Sequence, residues 1–197
     1  MKKILMACLC VVFAGVMSGC AGTNFVRPNE AALQNGKTTI DDVRAQYGKP
    51  FRESSVTKND ENITLLSYAY ATTGGTPLET GVVPSRSLAL AFWKGVLVSN
   101  VFISSFKDDA SDFDASKRDA IVKGKTTRGE VIGLLGRPAG YAIYPAIKDR
   151  NGQALIYSYH TTRGSAFDLK FSNRDLTITI GSDGVVSDVN FESSGMQ

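Results

Sequence analysis

The sequence predicts an α+β protein of two tandem units, each with two short helices packed on a three- to four-stranded antiparallel sheet. Three observations predict it: an internal repeat, a capping signature at the same place in each copy, and strand patterns that end on glycine turns. The repeat comes first. Gly36-Lys37-Thr38-Thr39, Val43, Gly48 and Pro50 recur as Gly124-Lys125-Thr126-Thr127, Val131, Gly136 and Pro138, all at an offset of 88 residues. Tyr68-Ala69-Tyr70 recurs as Tyr157-Ser158-Tyr159, and Lys94-Gly95-Val96 as Asp183-Gly184-Val185, at an offset of 89. Matches in one order over that span are the mark of a tandem duplication.

Each copy begins with helical signals. Thr39 and Thr127 stand where a helix N-cap belongs, with Asp42 and Glu130 three residues on. That spacing is a capping box, in which side chain and backbone satisfy two orphan donors reciprocally. Val43 and Tyr47, and then Val131, Leu134 and Leu135, supply an apolar stripe at helical spacing. Gly48 and Gly136 suit the left-handed position after the last turn, and Pro50 and Pro138 block continuation. Both helices are therefore short. A second helical candidate precedes each, at 29–34 and at 115–123, ended by Gly36 and Gly124.

Past the prolines the pattern turns to strand. Residues 65–71 and 154–161 alternate Tyr with aliphatic side chains. Second strands follow at 87–93 and 176–180, and third strands at 96–103 and 185–191. Lys94-Gly95 and Asp183-Gly184 sit between the last two, and Asp-Gly is a strong hairpin signal. Two irregular stretches, 72–84 and 162–175, read as surface loops inserted into copy one and copy two.

The N-terminus carries its own message. Lys2 and Lys3 precede an apolar run over residues 4–17, too short to span a bilayer but the length of a secretory core. It ends Met17-Ser18-Gly19-Cys20, which resembles the lipobox of bacterial lipoproteins. That resemblance implies cleavage between Gly19 and Cys20 and a lipid on the Cys20 sulfur. Cys8, Cys10 and Cys20 are the whole cysteine complement, so the mature body has none to pair or to bind metal. The expected organisation is a signal peptide over 1–19, a lipidated tether over 20–27, units at 28–106 and 115–193, an acidic linker at 107–114 and a tail at 194–197.

Composition narrows the function. Without Lys2 and Lys3 there are 20 basic residues against 19 acidic, which leaves no electrostatic footprint for nucleic acid. His160 is the sole histidine, which argues against a histidine metal site or a Ser-His-Asp triad. Asp108, Asp109, Asp112 and Asp114 lack the glycine and distal glutamate of an EF-hand loop and read as a solvated linker. No phosphate-loop or dinucleotide fingerprint is present. The reading is a protein with no catalytic residues, no cofactor and no metal. Aromatic side chains are the candidate partner-binding surface: Tyr68, Tyr70, Phe92, Trp93, Tyr157 and Tyr159. Neighbours on a strand point to opposite faces, so Phe92 and Trp93 must part company.

The pattern G-x-T-x-x-x-V-x-x-x-x-G-x-P, then Tyr-x-Tyr, then a strand and a glycine-turn hairpin, resembles the BamE/SmpA (OmlA) lipoprotein family. The resemblance covers residues 28–192 as two copies, with Tyr68 and Tyr157 where the family's best-known member has a tryptophan. It implies an outer-membrane lipoprotein facing the periplasm and held by Cys20. Its expected role is that of an adaptor or assembly factor for envelope proteins, barrel-assembly machinery among them. Ala21, where an aspartate would favour inner-membrane retention, agrees. Two other expectations share the fold: a structural lipoprotein of a secretion apparatus, and an inhibitor-like module that docks on a periplasmic enzyme.

Overall fold

A computed structural model describes residues 22–165 and 168–195. The capping boxes form as their spacing dictates. Helix α1 runs Ile40–Tyr47 behind Thr39, and helix α2 runs Arg128–Leu135 behind Thr127. The Thr39 hydroxyl accepts from the Asp42 amide at 3.2 Å while the Thr39 amide donates to Asp42 at 2.9 Å, and Thr127 with Glu130 repeats the pair. The preceding threonines have a different task. Thr38 Oγ1 accepts from the Gln34 amide and Thr126 Oγ1 from the Val122 amide, each closing the turn before the helix. Gly48 and Gly136 do take positive φ (72° and 79°), but with ψ of −150° and −159°. That is an extended conformation reserved for glycine rather than the left-handed cap expected from the sequence.

The second helical candidates do not form α-helix. Residues 29–34 make only a turn, and the later candidate is a 3-10 helix limited to Ala115–Ala120.

The larger correction concerns the sheet. The expected two separate helix-on-sheet units are replaced by one curled eight-stranded antiparallel sheet, half of a barrel. Its order is simply β1 to β8: Arg52–Lys58, Glu61–Ala71, Ser85–Trp93, Val96–Ser104, Gly140–Ala142, Gln153–Ser165, Asp168–Ile180 and Val186–Gly195. Two of these strands lie outside the strand ranges expected from the sequence. β1 is polar (RESSVTK) and mostly exposed, an edge strand with little to bury. β5 has three residues, yet it joins the copies: Ser99, Asn100 and Val101 of β4 pair with Ala142, Tyr141 and Gly140. A Cβ on Gly140 would stand 1.8 Å from the Asn100 carbonyl oxygen, so this approach of the strands needs glycine.

The 162–175 stretch, expected as a loop, is the body of the β6–β7 hairpin. Thr162 pairs with Phe171 and Ser158 with Asp175. Its polar sequence hid it, because a strand that projects beyond the helices buries no continuous apolar face.

Two cores lie on one side of the sheet. Val43 of α1 packs on Leu66, Tyr68, Leu88, Leu90, Phe92, Leu97 and Phe102, with Leu33 from the turn before it. Val131 and Leu135 of α2 pack on Leu155, Tyr157, Tyr159, Leu176, Ile178 and Val186, with Phe113 and Ile121 at the flank. The stretch 107–114 belongs to this packing. Arg86 and Asp109 form a buried ion pair at 2.9 Å, and Ser104 Oγ donates to Asp109 at 2.6 Å. Ser111, buried, donates to the Ser158 carbonyl at 2.7 Å.

Residues 22–27, read from the sequence as tether, form a strap across the same side. Phe25 meets Phe102 edge-on at 6.2 Å, and Asn24 Oδ1 accepts from Arg86 at 2.8 Å. The Arg27 guanidinium donates to the Pro138 and Ala110 carbonyls, tying copy one to copy two.

Candidate functional site

The helices cover one face of the sheet and leave the other open. Alternation along β2, β3, β4 and β6 puts Leu65, Ser67, Ala69, Ser87, Ala89, Val101 and Ile156 on the open side, so its floor mixes small and aliphatic residues. The sheet curls towards this side. One hollow of about 380 Å³ is lined from Val56 and Lys58 on β1 across to Ile156 and Thr177 on β6 and β7.

One end of the hollow is closed. Ile63, Ala91 and Val98 are buried there under Ile143 and Ala146 of the β5–β6 connection. Asn59 Nδ2 holds that connection by donating to the Pro145 and Ile147 carbonyls at 2.9 and 3.0 Å. Trp93 sits at the same end. Its indole N–H donates to Glu61 at 2.8 Å, its ring meets Tyr144 edge-on at 6.2 Å, and Lys94 lies over it at 4.3 Å.

The other end stays open, flanked by the projecting β6–β7 hairpin. Alternation places Phe171, 53% exposed, on the open side with Leu169. His160 and Asp175 follow deeper on the same side, joined at 2.9 Å through Nε2. This wall is polar and acidic, with Asn173 and Glu192 beside the pair, whereas the opposite wall carries Arg52 and Lys58.

The aromatic residues expected to form a binding surface divide sharply. Tyr68, Phe92, Tyr157 and Tyr159 are buried beneath the helices, which is a correction: their rings are core, not surface. Tyr70 stacks on Phe106 at 6.0 Å on that same side. Trp93 alone of the six reaches the open face, opposite to Phe92 as strand geometry requires. Phe171 was missed, although an aromatic at an alternate position of a polar hairpin was a signal available in the sequence. Cys20, Gly19 and the signal segment lie outside the described residues.

Burial pushes the Tyr157 and Tyr159 hydroxyls well above the ordinary tyrosine range. Tyr157 has a partner, the Gly136 carbonyl at 3.0 Å. The Tyr159 hydroxyl has no formed hydrogen bond; Glu79, close enough to add to its shift, pairs with Arg163 instead. A second cleft, about 270 Å³, opens between the copies on the helix side, with Arg27, Arg128 and Arg137 around Glu30. Two of its cations are taken up internally, Arg137 by Glu30 at 3.2 Å and Arg27 by the two carbonyls already named, while Arg128 lies over the Tyr141 ring at 5.8 Å. The acidic residues of 107–114 are likewise spread apart: Asp109 faces Arg86, Asp112 faces Arg174, and Asp114 caps the 3-10 helix. Among the described residues no group of three His, Cys, Asp or Glu side chains converges, and no described helix is long and apolar enough to cross a membrane.

Fold and site together define a tandem-repeat sheet protein with one packed face and one open, concave face. No family model and no curated protein matches the chain. A solved structure from Streptococcus mutans, described as a "putative beta-lactamase inhibitor protein", is similar at 11% identity with a TM-score of 0.39, over 79% of this chain and 82% of that one. That likeness is too distant to assign this chain a fold family or a role.

Proposed function

We propose that this chain is a lipid-anchored, non-enzymatic adaptor of the bacterial envelope that holds a projecting segment of a partner protein in the hollow of its sheet. The observation that carries this is the open concave face itself. Both copies contribute strands to it, and its floor mixes serine and alanine with Leu65, Val101 and Ile156. Ser67, Ser87 and Ala89 between Trp93 and Phe171 leave room for an inserted segment, and rim aromatics are common anchors for one. The N-terminal lipobox pattern supports the anchor at Cys20, and the resemblance of the repeat to the BamE/SmpA family supports an outer-membrane, periplasm-facing role.

The test is site-specific photo-crosslinking in intact envelopes, with the crosslinker at Ala89 or Phe171 on the open face and at Val122 on the far side as control. Adducts at 89 and 171 that are missing at 122 support the docking face. Barrel-assembly components in those adducts favour the assembly-factor role, and a single soluble enzyme favours the inhibitor-like one. Adducts only from position 122 sink the proposal.

A further inference from the structure

The strap leaves almost no slack between the body of the protein and its anchor. Gly22 has φ of +65°, and a Cβ there would stand 2.0 Å from the Ala69 carbonyl oxygen at the end of β2. Only glycine fits that approach. Asn24, Phe25 and Arg27 then fix the strap to Arg86, to Phe102 and to the two carbonyls already described. Cys20 lies two residues before Gly22, so at ~3.5 Å per residue the lipid-bearing sulfur stays within roughly 10 Å of the sheet. A docked strap of this kind gives the body a definite pose.

Beside Gly22 the surface has the chemistry of a bilayer contact. Val26 and Phe51 line one groove with Gly22, Tyr47, Lys49 and Ala69. They are 67% and 73% exposed, the two most exposed large apolar side chains among the described residues. The repeat sharpens the point. The copy-two counterpart of Phe51 is Ala139, which is 6% exposed and packed at the seam with copy one, where its carbonyl accepts from the Phe102 amide. In copy one the position faces out and carries a phenylalanine.

We propose that Val26, Phe51 and Lys49 rest on the lipid bilayer that holds the chain's own anchor. Phe51 and Val26 dip into the interface while Lys49 meets headgroup phosphates. The inference rests on lipidation of Cys20 as read above. It fixes which way the open face looks: the strap and this groove meet the membrane from the helix side, and the hollow turns away towards the periplasm.

The mature chain has no cysteine besides Cys20, so single labels are clean. Lipidated protein carrying Phe51→Cys, Val26→Cys or, on the open face, Ala89→Cys is labelled with an environment-sensitive fluorophore. Each is reconstituted into phosphatidylethanolamine–phosphatidylglycerol vesicles containing doxyl-labelled lipid. Quenching at 51 and 26 should exceed that at 89 several-fold. A flexible Gly/Ser insert between Ala21 and Gly22, which frees the body without touching the groove, should abolish the difference. Equal quenching at all three positions, with palmitate labelling of the wild-type chain intact, overturns the pose alone. Absence of palmitate on the wild-type chain overturns the anchor reading and the pose together.

Discussion

Tyr157 donates its phenolic hydroxyl to the carbonyl of Gly136 at 3.0 Å, stitching β6 to the glycine that ends α2. Tyr68 makes the same 3.0 Å bond to Gly48 in copy one, so the duplication kept the bond as well as the residue. Tyr159, two residues along, is as deeply buried but has no such bond. Removing the two hydroxyls should therefore have opposite consequences. Tyr157→Phe leaves the Gly136 carbonyl without its partner and should cost about 1 kcal/mol. Tyr159→Phe removes an unsatisfied polar atom and should be neutral or stabilising. Urea unfolding of both variants checks the pair, and equal losses would show that the Tyr159 hydroxyl has a partner after all.

The same residues set an alkaline limit. Burial raises both hydroxyls in the folded state above the unfolded tyrosine value of about 10. Below about pH 10 both states keep these protons and the contribution is flat. Above it the unfolded chain releases protons that the folded chain retains, so stability falls as pH rises. The urea midpoint should decline from about pH 10 upward, and less steeply once Tyr157 and Tyr159 are both phenylalanine. A decline unchanged in that double variant would place its origin elsewhere.

How much of this was legible in the sequence depended on whether the signal was local. The Thr39–Asp42 and Thr127–Glu130 boxes were readable because capping is settled within four residues. The hairpins at Gly95 and Gly184 were readable for the same reason. The seam between the copies was not, because it depends on Gly140 meeting Asn100 forty residues away, in a strand too short for any period. The hairpin of Asn59 and Asp60, both at positive φ, had a turn signal, but the polar β1 beside it offered no pattern to attach it to. For the candidate site, aromatic content pointed to partners but not to a face. Only the position of the helices reveals that Tyr68 and Tyr157 are core while Trp93 and Phe171 are surface.

Asp109 tests whether 107–114 is a hinge or a buckle. Its carboxylate accepts from Arg86, Ser104 and the Arg27 amide, all in largely buried surroundings. Asp109→Ala strands the Arg86 guanidinium and should cost about 3 kcal/mol. The wild-type chain should resist limited proteolysis in this stretch and unfold in one transition. Two stable halves cut at 107–114 would mean that the seam is weaker than its contacts imply.

If Cys20 carries the proposed anchor, anchoring should be separable from folding. Cys20→Ser should abolish palmitate incorporation and release the chain from membranes, while its unfolding midpoint matches that of the unlipidated mature body. Ala21→Asp should move the lipidated chain from outer- to inner-membrane fractions of a density gradient. Palmitate persisting on the Cys20→Ser protein would refute the assignment of the lipid to that sulfur.

Two glycines of copy two give opposed expectations from the same change. Gly140 lies where β5 meets β4, and an added Cβ would fall 1.8 Å from the Asn100 carbonyl oxygen, which is backbone and cannot swing aside. Gly140→Ala must therefore push the strands apart at the ladder that joins the two halves of the sheet, Ser99–Val101 with Gly140–Ala142. A loss of about 3 kcal/mol is expected, in the range of forced overpacking. Gly133 lies in the exposed middle of α2 with nothing within 4 Å of its missing Cβ. Gly133→Ala there relieves the entropy cost of glycine in a helix and should stabilise by about 0.5–1 kcal/mol. Thermal and urea unfolding of both variants measure this directly. If the seam is what makes one cooperative unit of two copies, Gly140→Ala should also split the single transition into two. A Gly140→Ala protein that loses the expected stability yet still unfolds in one step would assign the coupling to the strap and the Arg86–Asp109 buckle instead.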